Sequence, residues 1–297
     1  MKQVTCAQAL SAAQILGLER LDAQWLLLHA LGKPYGDRAW LLAHDDDALA
    51  VEVAERFHGL SLRRAAGEPL AYIVGSKEFF GLNLQVDARV LVPRPDTETL
   101  VQWSLDLLLA PGMPGAPHIL DLGTGSGAIA LALAHSVQEA GRDARVLALD
   151  ASAGALAVAL DNARRLNLKV EFIQSCWLAQ VDVKPGGRFQ LIVSNPPYIA
   201  SADPHLAALV HEPLQALAAG TDGLDDIRQI IAHSGPHLLA GGWLLLEHGY
   251  DQAARVRELL RQANFTQVQS RLDLAGIERC SGGQWAPAAA DPAPSRT

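Results

Sequence analysis

Apolar residues recur at helical spacing in the first quarter of the chain. Leu21, Trp25 and Leu28 fall at i, i+4 and i+7, and Leu49, Val53, Phe57 and Leu60 repeat nearly the same interval. Each set occupies one stripe of an amphipathic helix, and core packing is the ordinary use of such a stripe. Gly17, the Gly32-Lys33-Pro34 turn and Gly67 punctuate the stretch as helix ends. A helix that hides a single stripe needs partners, so residues 1–75 are expected to form a small helical bundle. From Phe79 the period shortens. Phe80 to Asp87 alternates as a strand does, and Arg89 to Val92 is expected to pair with it as a hairpin. Val92-Pro93-Arg94-Pro95 then stops regular structure, because neither proline donates to a ladder. The hairpin region 76–93 is read as a linker, with the domain boundary at its end.

From Ile119 onward, short apolar runs alternate with helical stretches. Strands are expected at Ile119–Leu122, Val146–Asp150, Val170–Ile173, Leu191–Ser194 and Trp243–Glu247. Helices are expected near Ala128–Ala140, Ala153–Leu166, Gly223–Leu239 and Gln252–Ala263. Such alternation predicts a mostly parallel sheet covered by helices on both faces, an α/β domain over 94–285. Thr266–Arg271 and Ile277–Ser281 are expected to add an antiparallel hairpin at one edge. The Ala- and Pro-rich stretch 286–297 is expected to be disordered.

Composition narrows the class. Apolar residues make up 49% and charged residues 19% of the 297, enough to build a core. No stretch approaches the ~18 uninterrupted apolar residues of a membrane span, and the start does not read as a signal peptide. The cysteines, Cys6, Cys176 and Cys280, are odd in number and widely spaced. That argues for a reducing compartment, the cytoplasm, and against a disulfide framework or a CxxC metal site. The formal net charge of −8 weighs against a protein that grips bare nucleic acid. His233 and His237 stand at i, i+4, but Pro236 intervenes and a third ligand is missing, so no metal is expected.

Two stretches carry chemistry. In Ile119-Leu120-Asp121-Leu122-Gly123-Thr124-Gly125-Ser126-Gly127, a strand runs into a glycine-rich turn that opens a helix. Glycines let the backbone turn sharply and approach a nucleotide-like ligand. The spacing is tighter than the dinucleotide fingerprint. Asp121, just before the turn, suits a cationic ligand such as S-adenosylmethionine. Asp150 ends the next strand, near the ~20-residue separation at which a carboxylate accepts ribose hydroxyls. Trp177, after the third strand, is placed to stack on or wall a base.

The second stretch, Ser194-Asn195-Pro196-Pro197-Tyr198, puts a polar amide at the tip of a buried strand, with two prolines fixing the backbone. A planar NH2 group has two hydrogens and a delocalised lone pair. The Asn195 side-chain oxygen and the Pro196 carbonyl each accept one hydrogen, and Tyr198 packs against the face of the amide or base. Holding both hydrogens aims the lone pair at a methyl donor, which is catalysis by orientation.

With these residues in place, the sequence resembles the peptide chain release factor glutamine N5-methyltransferases, known as PrmC or HemK. The matching motifs are Gly67-Glu68-Pro69-Leu70-Ala71-Tyr72, Val92-Pro93-Arg94-Pro95-Asp96-Thr97-Glu98, Asp121 to Gly127, Ser194 to Tyr198 and Leu246-Glu247-His248-Gly249. They span the chain to about Gln284. The resemblance implies a class I Rossmann-like S-adenosylmethionine-dependent methyltransferase domain preceded by the helical bundle and the hairpin. It implies cofactor contacts at Asp121, Gly123, Thr124, Gly125, Ser126, Gly127, Asp150, Trp177 and Asn195. Catalysis and acceptor binding fall to Asn195, Pro196, Pro197 and Tyr198. The implied acceptor is the glutamine in the Gly-Gly-Gln loop of release factors 1 and 2, with the bundle helping to hold the factor and the enzyme acting as a monomer. Asn-Pro-Pro-Tyr alone is shared with DNA adenine methyltransferases, so an adenine-N6 methyltransferase on DNA or RNA is the alternative. The chain departs from the family at Cys176, where an Asp usually precedes the Trp. Its own Gly282-Gly283-Gln284 is read as coincidence, since three common residues carry little information.

Overall fold

The computed structural model describes residues 4–34, 36–113, 115–181 and 187–287. The chain forms two compact units, 1–76 and 77–297.

The first unit is helical: α1 (Cys6–Ile15), α2 (Arg20–Ala30), α3 (Arg38–Ala43), α4 (Val51–Ala65) and α5 (Leu70–Val74). Thr5 opens α1 with a capping box shared with Gln8, and Asp37 caps α3 through the Trp40 amide. The face that α2 buries is Ala23, Leu26, Leu27 and Ala30, all fully enclosed, together with Leu28. Leu21, assigned to the buried stripe from its spacing, is instead 41% exposed. It lies about half a turn around the helix from the Ala23–Ala30 row. Of the other stripe, Leu49 precedes α4, whereas Phe57 lies deep in the bundle core and Val53 and Leu60 pack on its margin.

A hairpin follows along the chain, β1 (Ser76–Phe79) and β2 (Leu82–Gln85), all but its first residue in the second unit. Its turn residues, Phe80 and Gly81, both have positive φ (48° and 78°), the mirror-image geometry that matches strand twist. The partner of β2 therefore lies upstream. Arg89–Val92, expected as the second strand, is irregular: the Val90 amide turns back to the Asp87 carbonyl and the Val92 amide donates to Glu212 Oε2 at 3.0 Å. Asn162 ties β2 to the domain, accepting from the Gln85 amide at 2.7 Å and donating to the carbonyls of Gln85 and Ser126.

Next come α6 (Glu98–Leu108), β3 (His118–Leu122), α7 (Ala128–Glu139), β4 (Arg145–Asp150), α8 (Ala153–Leu166), β5 (Glu171–Gln174), β6 (Phe189–Ser194), α9 (Asp225–Ser234), β7 (Leu238–Glu247), α10 (Ala253–Gln262), β8 (Phe265–Leu272) and β9 (Glu278–Trp285). Strands β3 to β9 form one seven-stranded sheet in the order β5-β4-β3-β6-β7-β9-β8, in which β9 runs antiparallel to both its neighbours, β7 and β8, and every other pair is parallel. Alternation along the buried strands separates two cores. Ile119, Leu191, Val193, Trp243 and Leu245 pack with α6, α7 and the hairpin. Leu120, Leu122, Ile192, Leu244 and Leu246 pack with α9 and α10.

Two helices differ from expectation. Helix α6 has no counterpart among the expected elements, although its Leu100, Val101, Ser104, Leu105 and Leu108 follow helical spacing directly after the proline-bearing segment. The helix expected at 223–239 ends at Ser234, because Gly235-Pro236-His237 tightens into a 3-10 turn that leads into β7. The Gly282-Gly283-Gln284 segment is part of β9. A Cβ on Gly282 would come 2.4 Å from Leu245 Cδ2, so the strand needs a glycine there. Gln284 donates to the Gly241 carbonyl and accepts from Gln267. Of the stretch expected to be disordered, 288–297 lies outside the described residues, while 286 and 287 lack regular structure.

Candidate active site

Ligands of open parallel sheets bind beyond the carboxyl ends of the strands, where the strand order reverses. Here that point lies between β3 and β6, and chemistry-bearing residues converge on it.

The turn after β3 is built on Gly123, Gly125 and Gly127, with φ of 71°, 56° and 84°. Gly127 is doubly constrained, because a Cβ would also meet Leu131 Cδ1, in the helix that Gly127 opens, at 2.9 Å. Asp121 is fully buried and braces this turn: its Oδ2 accepts from Thr124 Oγ1 at 2.6 Å and from the Ala130 amide at 3.2 Å. Burial pushes its pKa up to about 7, with the nearby Asp150 charge adding to the rise. Asp150, at the end of β4, accepts from the Gly125 amide on Oδ2 (2.9 Å) and from the Ser152 amide on Oδ1 (2.8 Å). Its pKa is raised by burial against the pull of those amides. One carboxylate thus joins the glycine turn to the start of α8.

Trp177 follows β5 with a φ of 48°, and its six-membered ring lies 3.3 Å from where a Cβ on Gly123 would stand. Its indole N–H donates to Asp226 Oδ1 at 3.1 Å. Burial raises the Asp226 pKa, the indole hydrogen bond opposes that, and Asp225 adds to it. Cys176 is exposed and free.

Asn195 stands at the end of β6. Its Nδ2 donates to Thr97 Oγ1 at 3.1 Å, which turns Oδ1 away from Thr97. The Tyr198 hydroxyl donates to Glu247 Oε1 at 3.2 Å. Glu247, the last residue of β7, is fully buried, and its Oε2 has no hydrogen-bond partner among the described residues. Burial pushes its pKa up to about 7; the hydroxyls of Thr97 and Tyr198 and the charge of Arg279 draw it back, and Asp96 raises it. The same setting pushes the Tyr198 phenol well above its ordinary value.

Two clamps fix the loop that follows. Glu212 pairs with Arg94 at 2.5 Å while accepting from the Val92 amide, so the proline-bearing segment and the loop move as one. Gln252 Nε2 donates to the Tyr198 carbonyl at 3.0 Å, and a Cβ on Gly223 would come 2.2 Å from that same oxygen.

A cavity of about 500 Å³ opens among these groups, within the range of small-molecule sites. Among the expected residues, Gly123, Gly125, Asp150, Trp177, Asn195 and Pro197 line it. Asp121, Thr124, Ser126, Gly127, Pro196 and Tyr198 do not; Asp121, Thr124 and Gly127 shape the turn from behind. The lining fits S-adenosylmethionine. Asp150 presents remaining lone pairs to hydroxyls, Trp177, Pro213 and Ala216 offer apolar walls, and the acids suit a cation. Sequence reasoning gave no role to Thr97, Glu212, Asp226 or Glu247. Thr97 and Glu247 sat inside motifs already noted, whereas Asp226 had no signal apart from a place on a helix.

The chain matches two family descriptions, the PrmC N-terminal domain over residues 4–75 and the methyltransferase small domain over residues 106–222. It is 48% identical to the release factor glutamine methyltransferase of Burkholderia pseudomallei, covering 94% of this chain and 96% of that one. The enzyme of the same name from Pseudomonas aeruginosa is 48% identical over 90% and 93% of the two chains. Among solved structures it is similar in fold to a Pyrococcus furiosus methyltransferase (TM-score 0.50, 17% identity, 70% and 90% covered). It is also similar to the T. thermophilus 16S rRNA methyltransferase RsmC, solved with AdoMet and guanosine (TM-score 0.51, 20% identity, 71% and 49% covered).

Proposed function

Since this chain belongs to the release factor glutamine methyltransferase family and uses S-adenosylmethionine to methylate a release factor glutamine, we propose that Asn195 is the residue that presents the acceptor nitrogen to the methyl donor. The observation that carries this reading is the direction of the Asn195 amide. With Nδ2 committed to Thr97, Oδ1 is the free acceptor at the cavity. It takes one hydrogen of the glutamine NH2, and the Pro196 carbonyl takes the other. Both acceptors gain strength as positive charge develops on the nitrogen. Bound S-adenosylmethionine supplies the methyl on a sulfonium and leaves as a neutral thioether, so the protein need not provide a strong base.

The remaining residues bind and orient. Asp150 accepts the ribose hydroxyls, the Gly123–Gly127 turn gives close backbone approach, and Trp177 with Asp226 walls the base. Tyr198, held by its hydroxyl on Glu247, flanks the acceptor end, and Pro197 closes the cavity beside Asn195. The acceptor is the glutamine of the Gly-Gly-Gln loop in release factors 1 and 2. The helical unit 1–75 contributes surface for a folded factor, because a loop glutamine is recognised through area beyond the loop. The enzyme is taken to act as a monomer in the cytoplasm, where release factors work. Among the described residues, no helix is long and apolar enough to cross a membrane.

The test is transfer of labelled methyl from S-adenosylmethionine to intact release factor and to duplex DNA. The factor should be labelled and the DNA should not; the reverse would restore the adenine-N6 reading. Asn195→Ala should drop turnover by more than about a hundredfold while cofactor affinity stays within about threefold. Turnover within tenfold of the parent would remove Asn195 from this role.

A further inference from the structure

Tyr198 is gripped at both ends by one short stretch of chain. Its hydroxyl donates to Glu247 Oε1 at 3.2 Å, and its carbonyl accepts from Gln252 Nε2 at 3.0 Å. The partners of Gln252 dictate which way round its amide lies. Its Oε1 accepts from the Gly249 amide at 2.8 Å, and its Nε2 also faces the carbonyls of Asp222 and Gly223, each at 3.4 Å. A backbone N–H only donates and a carbonyl only accepts, so the side chain fits in one orientation. It is buried, and a Cβ on Gly223 would come 2.8 Å from Nε2, which leaves it no second place to go.

The turn that carries Gln252 is anchored to the sheet by hydrogen bonds with a single direction. The Gly249 carbonyl accepts from the Gln252 amide at 3.0 Å and lies 2.9 Å from His248 Nδ1, so Nδ1 bears a hydrogen. His248 is fully buried and burial lowers its pKa, so the ring is neutral and Nε2 accepts from the Ser281 hydroxyl at 2.7 Å. The far end demands the same direction. Arg257 can only donate to Ser270 Oγ, at 2.5 Å. The Ser270 hydrogen then goes to Ser281, at 2.7 Å, and the Ser281 hydrogen to His248. From Arg257 to Gly249 every donor meets an acceptor.

We infer that Gln252 is a positioning residue for methyl transfer: it sets where the Tyr198 carbonyl stands, and with it the loop from Asn195 to Tyr198 that seats the acceptor. The inference rests on the role proposed above for that loop. Gln252 does not line the cavity, so it reaches the acceptor only through the loop. The proposed cofactor contacts at Asp150 and Trp177 follow other strands, β4 and β5, and are independent of it.

Gln252→Glu keeps the shape and the acceptor for Gly249. Ionised, it sets a carboxylate oxygen against three carbonyls; protonated, it donates to Tyr198 and restores the bond. Burial and those carbonyls hold such a carboxyl above the usual carboxylate range. The charged and titratable groups around the position are Asp251, His248, Tyr198 with Glu247 beyond it, and Asp222, which is paired with Arg228 and Arg255. The parent carries the same groups, so the ratio of variant to parent is read at each pH. Single-turnover methylation of intact release factor at saturating S-adenosylmethionine should be about tenfold slower in Gln252→Glu at about pH 8.5, narrowing to about threefold at about pH 6. Gln252→Met, similar in length but without the donor, should be about tenfold slower at both. Both should keep the cofactor Kd within about threefold. Loss of packing alone would not recover with acid in one variant and persist in the other. A Glu variant equal to the parent throughout, or as slow at the lower pH as at the higher, would overturn the inference. Should the Glu variant fail to fold, the Met variant decides. Its running at the parent's rate, or its losing cofactor affinity as much as rate, would overturn the inference. Asn195→Ala separates the two levels. If it is inactive while the Gln252 variants run at full speed, only the positioning role falls; if it is active, the reading beneath it falls as well.

Discussion

Replacing Asp150 tests the cofactor end most directly, because its carboxylate braces two backbone amides and is proposed to hold the ribose as well. Each oxygen already accepts a backbone amide, from Gly125 at 2.9 Å and from Ser152 at 2.8 Å. Asp150 also lines the cavity, where its remaining lone pairs are proposed to accept ribose hydroxyls. Hydrogen bonds to a charged group contribute about 1.5–3 kcal/mol. Asp150→Ala should therefore weaken S-adenosylmethionine binding by roughly 10- to 150-fold. The less obvious expectation concerns Asp150→Asn. A carboxamide has one oxygen, so its NH2 must face either the Gly125 or the Ser152 amide, donor against donor. Asn should consequently bind nearly as poorly as Ala, although it is closer in shape. Calorimetric titration of the three proteins with S-adenosylmethionine decides the matter. An Asn variant with the parent's affinity would refute the two-amide argument, and an Ala variant with the parent's affinity would refute the ribose contact itself.

Three further outcomes follow from the same geometry. Burial raises the Glu247 pKa from 4.5 to about 7, so the ionised form weighs on folding as pH rises through that window, by up to about 3 kcal/mol; the stability advantage of Glu247→Gln should be smallest near pH 5 and largest near pH 8, and denaturant melts showing a constant gap would contradict it. Gly282→Ala should destabilise the fold by about 1–3 kcal/mol through overpacking against Leu244 and Leu245, and an unchanged melting temperature would show that β9 has slack. Cys176→Asp should bind cofactor at least as well as the parent, with the gain capped at about 1 kcal/mol by the acids already lining the cavity. Cys176→Ala should change affinity little, and a large loss in calorimetry would give the thiol a task of its own.

The sheet was legible because its strands are buried on both faces and read as apolar runs. The expected Ile119–Leu122 and Leu191–Ser194 match β3 and β6 to within two residues. The hairpin was misjudged because Phe80 looked like a strand residue. Its positive φ is a property of the Phe-Gly pair in the turn and has no hydrophobic signature. Leu21 is misplaced because period alone does not say how far along a stripe the neighbouring helices reach: Leu28, on the same side, is fully buried. At the site, the glycine turn, Asp150 and Asn195 were recognisable from local spacing. Thr97, Glu212, Asp226 and Glu247 act on residues about 50 to 120 positions away. No local window holds both partners of such a pair.

The clamped loop after β6 bears on who adapts when enzyme and substrate meet. Gln252 holds the Tyr198 carbonyl, Gly223 leaves no room beside it, and Glu212 fastens the next turn to Arg94. A seat clamped at two places and hemmed in at a third has little freedom left to lose on complex formation. The ordering entropy of the encounter therefore falls on the visiting protein, whose glutamine segment must take up the one shape the seat accepts. Stiffening that segment in the release factor should then speed its methylation more than any loosening of the enzyme.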